Sequence, residues 1–191
     1  MKKCENRWKF CDNCGILFTT VGEDMLLMKV LVMSDSHGMR SFMRYAVTAV
    51  KPNVIVHLGD HYDDGSIIAE ENENIRFLQV PGNCDRHRCY PPQPEILCCD
   101  ISGVRFYMTH GHLHAVKMST ARLLWEAAEA KASVVFYGHT HQPDRRQEQG
   151  MWILNPGTCG SWGGSVGVIT IENGQVTQCT ILTQKDLEEQ T

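Results

Sequence analysis

The rhythm of apolar and polar residues changes along the chain and marks out its elements. From Met28 the run Lys29-Val30-Leu31-Val32-Met33 is almost wholly apolar, the pattern of a strand covered on both faces. A helix is expected over 39–51 and must end before Pro52, whose ring disfavours helical geometry in the residue ahead of it. Residues 54–58 read as a second strand, 67–74 as a short helix and 75–80 as a third strand, so a β-α-β-α-β unit opens the fold. Two strand-like runs, 96–101 and 104–109, meet at Ser102-Gly103 as a hairpin. Helical spacing and alanine content mark 120–131, and a strand follows at 134–137. Three more strands are expected over 151–155, 165–172 and 175–183, the last two joined by Asn173-Gly174.

Residues 1–27 lack this rhythm. They are polar, carry Cys4, Cys11 and Cys14, and read as an appendage outside a domain spanning 28–191. Cys11-Asp12-Asn13-Cys14-Gly15 looks like half of a zinc ribbon, but no second Cys-x-x-Cys pair follows. The alternative is a translation start at Met25 or Met28, with the codons of Gly22-Glu23 resembling a ribosome-binding site.

With 191 residues, 42% of them apolar, the chain suits one compact α/β domain with a substantial core. Its net charge of −4 and pI near 6.1 give no general attraction to nucleic acid or to an anionic membrane. Any phosphate must therefore be held locally. The nine cysteines are odd in number and include the adjacent Cys98 and Cys99, which does not suit a disulfide-stapled scaffold. A reducing cytoplasm is the expected location. Before Met25 no apolar run is long enough for a signal peptide or a membrane span.

The chemistry lies in five short motifs: Asp35-Ser36-His37-Gly38, Gly59-Asp60-His61, Gly82-Asn83-Cys84-Asp85, His110-Gly111-His112 and Gly138-His139-Thr140-His141. Each follows an apolar run that reads as a strand, so a sheet edge can aim several of these side chains at one point. Imidazole, carboxylate and amide oxygen without thiolate is a donor set for hard or borderline divalent ions.

Taken in order, the five motifs resemble the calcineurin-like metallophosphoesterase superfamily, in particular its YfcE-like phosphodiesterase branch, over about 28–183. The resemblance implies a four-layer α-β-β-α sandwich, two packed mixed sheets flanked by helices. It also implies two divalent metal ions, manganese first, with nickel, zinc, iron or magnesium as alternatives. Asp35, His37 and His141 would hold one ion and Asn83, His110 and His139 the other, with Asp60 bridging them. The implied reaction is in-line attack on phosphorus by a metal-bridging hydroxide, with Asp60, Asn83 and His112 taking part at the catalytic centre. The implied partner is a small phosphodiester. No nucleic-acid surface and no membrane is expected, and a homo-oligomer is left open. Two other readings stand beside this one, a phosphomonoesterase and a non-catalytic Vps29-like protein-binding scaffold.

Two departures bear on the substrate. Phosphatase branches carry a histidine where this chain has Cys84, which is usual in the YfcE-like branch and leaves His112 as the candidate proton donor. Asn155-Pro156-Gly157-Thr158 resembles the family's Asn-Pro-Gly-Ser segment, but Cys159-Gly160-Ser161-Trp162-Gly163-Gly164 replaces the usual proline and basic residue. Weaker charge recognition and an aromatic surface are expected there. His57, His61, His87 and His114 lie outside the matched positions and are expected to be structural or surface histidines. Asp63 and Asp64 read as solvated loop carboxylates, while Asp85 reads either as a bystander or as a group orienting a neighbour.

Overall fold

The structure, a computed structural model, describes residues 8–10, 17–19, 27–86, 89, 91–160 and 164–189. Two short strands, β1 (Trp8–Phe10) and β2 (Leu17–Thr19), pair antiparallel. Then come β3 (Met28–Met33), α1 (Arg40–Val50), β4 (Val54–His57), α2 (Tyr62–Glu71) and β5 (Arg76–Gln79). Next are β6 (Ile96–Ile101), β7 (Val104–Thr109), α3 (Ala121–Glu129), β8 (Val134–Phe136), β9 (Asp144–Glu148) and β10 (Met151–Asn155). The last elements are β11 (Ser165–Glu172), β12 (Gln175–Thr183) and α4 (Gln184–Glu189).

Two five-stranded mixed sheets result, in the orders β12-β11-β3-β4-β5 and β6-β7-β8-β10-β9. Strand alternation explains how they stack. Val30 and Val32 of β3 meet Val104, Phe106 and Met108 of β7 and Phe136 of β8 in a core between the sheets, where the Phe106 and Phe136 rings lie 5.2 Å apart. Leu31 and Met33 face the other way, against Phe42, Met43 and Val47 of α1 and Leu187 of α4. On the far side Tyr107 and Val135 pack on Leu123, Leu124 and Ala127 of α3. Three apolar layers between four structural layers make the α-β-β-α sandwich expected from the motifs.

Five elements differ from the sequence reading: β1 and β2 pair in the segment read as lacking strand rhythm, and α2, β9 and α4 differ within the domain. α2 starts at Tyr62 rather than at 67, because Asp85 Oδ1 accepts the backbone N–H groups of both His61 and Tyr62 at 2.9 Å. A polar first turn, Tyr62-Asp63-Asp64-Gly65, is thereby capped from a distant part of the chain. β9 carries no apolar residue, and its charged side chains suit an edge strand paired on one side only, to β10. α4 is a six-residue helix whose start is held by Asp186, which accepts the Thr183 N–H at 2.8 Å, and whose Leu187 is fully buried.

The strands aim the motifs. β3, β4 and β5 run parallel, as do β7 and β8, and the five motifs follow the C-terminal ends of these five strands. A crevice beyond strand ends is where α/β sheets collect functional side chains.

Candidate metal centre

The backbone is unusual where the motifs lie. Asp35 (φ 52°), His37 (φ 43°), Asp60 (φ 55°), His139 (φ 68°) and His141 (φ 60°) all adopt left-handed conformations that cost side-chain-bearing residues on the order of 1 kcal/mol or more each. Such strain persists only where the surroundings enforce it, and here it turns side chains on consecutive loops toward one point. Close backbone approach adds a second constraint. A Cβ at Gly138 would overlap Ser34 Oγ, and one at Gly82 would overlap Asp60 Oδ1, so only glycine lets these loops come together.

Ligand-type atoms of Asp35, His37, Asp60 and His141 all lie within 4.8 Å of one another. His37 Nε2 stands 3.4 Å from His141 Nε2, and His141 Nε2 stands 3.1 Å from Asp35 Oδ1. Asp35 is fully buried, yet its Oδ1 accepts no hydrogen bond. A buried carboxylate oxygen without a donor beside two facing imidazole nitrogens suits a shared cation. On the other side of Asp60, His110 Nε2 is 3.5 Å from Asp60 Oδ1 and 3.2 Å from Asn83 Oδ1. The His139 ring completes this side, with its centroid 5.0 Å from that of His110. The other six predicted ligand residues thus gather around Asp60.

Their orientation is set from behind. His110 Nδ1 lies 2.7 Å from the Leu58 carbonyl, which fixes the proton on that nitrogen and leaves Nε2 as a lone pair facing the site. Asp35 Oδ2 accepts from the Ser34 hydroxyl at 2.5 Å and the His139 N–H at 3.1 Å. Cys84 donates its N–H to Asp60 Oδ1 at 2.9 Å. Asn155 donates to the Gly138 carbonyl at 3.0 Å and to Thr140 Oγ1 at 2.9 Å, so the Asn-Pro-Gly segment braces the last histidine loop. Asp85, fully buried, accepts from Gly82 N–H at 2.8 Å besides its bonds to His61 and Tyr62. It ties the second motif to the third, in keeping with the orienting role.

Asp64 corrects the sequence reading. It is buried rather than solvated, and its Oδ2 accepts the Ser36 hydroxyl at 2.9 Å and the Gly38 N–H at 2.7 Å, the residues on either side of His37. No signal in the sequence separated it from its exposed neighbour Asp63. Of the remaining histidines, His57 is fully buried on β4, and His114 is buried between the Tyr107 hydroxyl at 3.2 Å and Glu126 at 3.0 Å. The half-buried His61 ring lies 5.3 Å from that of His37. His87, Trp162 and the cysteines at 4, 11 and 14 lie outside the described residues.

Burial works against the Asp60 carboxylate, but His110, the Cys84 N–H and thiol, and His37 outweigh it and hold its pKa below the usual value. Burial, with His110 and Lys117 nearby, pushes His139 down to about 4, and burial with His110 also lowers His112. Neutral imidazoles are the form that binds cations. Burial and the charge of Asp60 raise the Cys84 thiol, which keeps it protonated and poor as a ligand. His112 itself lies at the rim, its ring 5.4 Å from His110 and its Nε2 3.2 Å from Glu95.

The model of the calcineurin-like phosphoesterase superfamily domain matches residues 28–174, which takes in every one of these motifs. The chain belongs to that superfamily. The phosphodiesterase MJ0936 of Methanocaldococcus jannaschii is 28% identical over 147 residues, covering 69% of this chain and 84% of that one. The crystal structure of a predicted phosphoesterase from Streptococcus pneumoniae superposes with a TM-score of 0.67 at 27% identity, over 84% of this chain and 92% of its own. Vacuolar protein sorting 29 of Cryptosporidium parvum reaches the same TM-score of 0.67 at 16% identity, over 84% of this chain and all 100% of its own, a likeness of fold. Among the described residues no helix is long and apolar enough to cross a membrane.

Proposed function

We propose that residues 28–191 form a phosphodiesterase domain dependent on two divalent cations. Asp35, His37 and His141 hold one cation, Asn83, His110 and His139 hold the other, and Asp60 serves both. When bound, such a pair activates water and neutralises charge that grows on the phosphoryl oxygens. Manganese heads the candidates, with nickel, zinc, iron and magnesium behind it, because the donors are imidazoles, carboxylates and one amide oxygen. The observation that carries the reading is the convergence of four ligand-type residues within 4.8 Å, with His110 and Asn83 closing on the far side of Asp60.

The chain's own residues divide the remaining work. The Leu58 carbonyl fixes the His110 ring and Asn155 braces the loop that carries His139 and His141 before substrate arrives, so little reorganisation accompanies reaction. A protonated thiol at Cys84 is a weak acid beside a leaving alkoxide, which favours diesters with leaving groups that depart easily. His112 is the candidate proton donor, and a bound phosphate would favour its charged form against the burial that now lowers it.

A hydrolysis screen of bis(p-nitrophenyl) phosphate and p-nitrophenyl phosphate against Mn²⁺, Ni²⁺, Zn²⁺ and Mg²⁺, with metal analysis, tests the reading. Faster diester cleavage and two bound ions per chain are expected. Monoester preference would make the protein a phosphomonoesterase. Absence of turnover with every metal would restore the reading as a non-catalytic protein-binding scaffold.

A further inference from the structure

A cavity of about 490 Å³ opens beside the last histidine loop, walled by Lys117, Tyr137, Thr140, Gln142, Asp144 and Arg146 among others. Thr140 separates His139 from His141, so an occupant would lie against the loop that carries two proposed ligands. The volume falls within the range of roughly 300–1,000 Å³ usual for small-molecule sites and accommodates a sugar or a nucleoside.

Most polar groups in the walls already have partners. Asp144 accepts the Tyr137 hydroxyl at 2.6 Å and pairs with the Arg146 guanidinium, which also reaches Glu148 at 3.3 Å and Thr120 Oγ1 at 2.8 Å. Thr140 Oγ1 accepts from Asn155 at 2.9 Å and from the Gln142 N–H at 3.2 Å. Lys117 differs: it is exposed, and no carboxylate pairs with it among the described residues. Between Asn155 and Gly164 the sequence holds no lysine or arginine, so that loop brings no cation to the site. Lys117 therefore brings to the cavity wall a positive charge that no carboxylate pairs with among the described residues, and Thr140, between two proposed ligands, lines the same cavity.

We propose that this cavity receives the group that stays bonded to phosphorus when the other ester group departs as an alcohol, and that Lys117 binds a second phosphate carried by the retained group. The orientation of the occupant rests on the phosphodiesterase reading. A neutral group in the cavity would leave the ammonium hydrated, whereas a phosphate replaces that water with a charge-assisted hydrogen bond. The substrate class is then a nucleotide-like diester with a further phosphate, recognised from the 117 side.

Products serve as probes, since a diesterase does not consume them. The full chain loaded with Mn²⁺ is titrated with adenosine 3′,5′-bisphosphate and with adenosine 5′-monophosphate. Lys117→Ala should weaken the bisphosphate about tenfold more than the monophosphate, and Lys117→Arg should restore most of the difference. Equal weakening of both ligands, or none, overturns the proposal. Lys117 is exposed, so its loss should leave the thermal midpoint unmoved, and a variant that unfolds would overturn the surface role by itself. Diester hydrolysis is scored separately. A Lys117-dependent preference in a protein without turnover upholds the anion site and removes only the catalytic reading; turnover without the preference does the reverse.

Discussion

Replacing Asp64 should damage the centre from behind without touching a proposed ligand. Its side chain is 8% exposed and accepts two hydrogen bonds, from Ser36 Oγ at 2.9 Å and Gly38 N–H at 2.7 Å. Bonds to an ionised carboxylate contribute about 1.5–3 kcal/mol each, and Asp64→Ala leaves the Gly38 N–H without an acceptor and Ser36 Oγ with only the longer bond to the Asp60 carbonyl at 3.4 Å. Arg40, 3.6 Å away and 42% exposed, adds little. Water can reach the exposed Gly38 side, so the lower end applies, about 3 kcal/mol for the pair. In a chain of this size that lowers the thermal midpoint by about 6–12 °C. His37 lies between the two donors, and its left-handed backbone depends on the loop they hold. Affinity for the cation it shares should fall about 10- to 100-fold, the usual effect of losing a supporting hydrogen bond. Asp64→Asn keeps one acceptor and should lose about half as much stability. Calorimetry of the metal-free protein and metal titration read the two effects apart. A midpoint within about 2 °C of the parent, with unchanged metal affinity, would show that the loop is held without Asp64.

Asp60→Asn should weaken both cations together, since this carboxylate faces Asp35 and His37 on one side and His110 on the other; metal analysis showing two tightly held ions and normal turnover would refute its shared role. His57 is charged with difficulty: burial lowers its pKa to about 4 from a usual value near 6.5. Below pH 6.5 the unfolded chain takes a proton that the folded chain refuses, so stability falls as pH drops toward 4, by about 2 kcal/mol at pH 5. In chelator, His57→Leu should lose that part of the fall between pH 7.5 and pH 5 in urea denaturation, and an identical pH profile would show that His57 charges freely. His112→Ala should keep both ions and lose little rate on p-nitrophenyl diesters, but about 10²- to 10⁴-fold on alkyl leaving groups. Equal slowing on both would make His112 a positioning residue.

The fold was legible where one side of a segment had to be dry. The runs at 28–33, 104–109 and 165–172 each alternate between two apolar layers, and their boundaries in the structure match the sequence reading. β9 was illegible for the opposite reason, because Asp144 to Glu148 bury nothing and owe their strand geometry to pairing with β10. The start of α2 was hidden similarly: its first turn has no apolar face, and the acceptor for its free amides, Asp85, arrives from 23 residues downstream of Tyr62.

The ligand-type residues were legible because their positions are local, each one or a few residues past a strand end. What surrounds them is not local. Asp63 and Asp64 are neighbours of one chemical type at the start of one helix, yet the first is exposed and the second is buried beneath the His37 loop, 28 residues from Ser36. Helical rotation of about 100° per residue separates their directions, and only the closing of β3 against β4 decides which direction leads into the protein. The same holds for Lys117, which no motif marks and whose significance depends on the charge that the 155–164 loop fails to bring. In this fold the sequence displays the ligand-type residues, whereas closure of the sheets determines what holds those groups in place and what charge lies beside them.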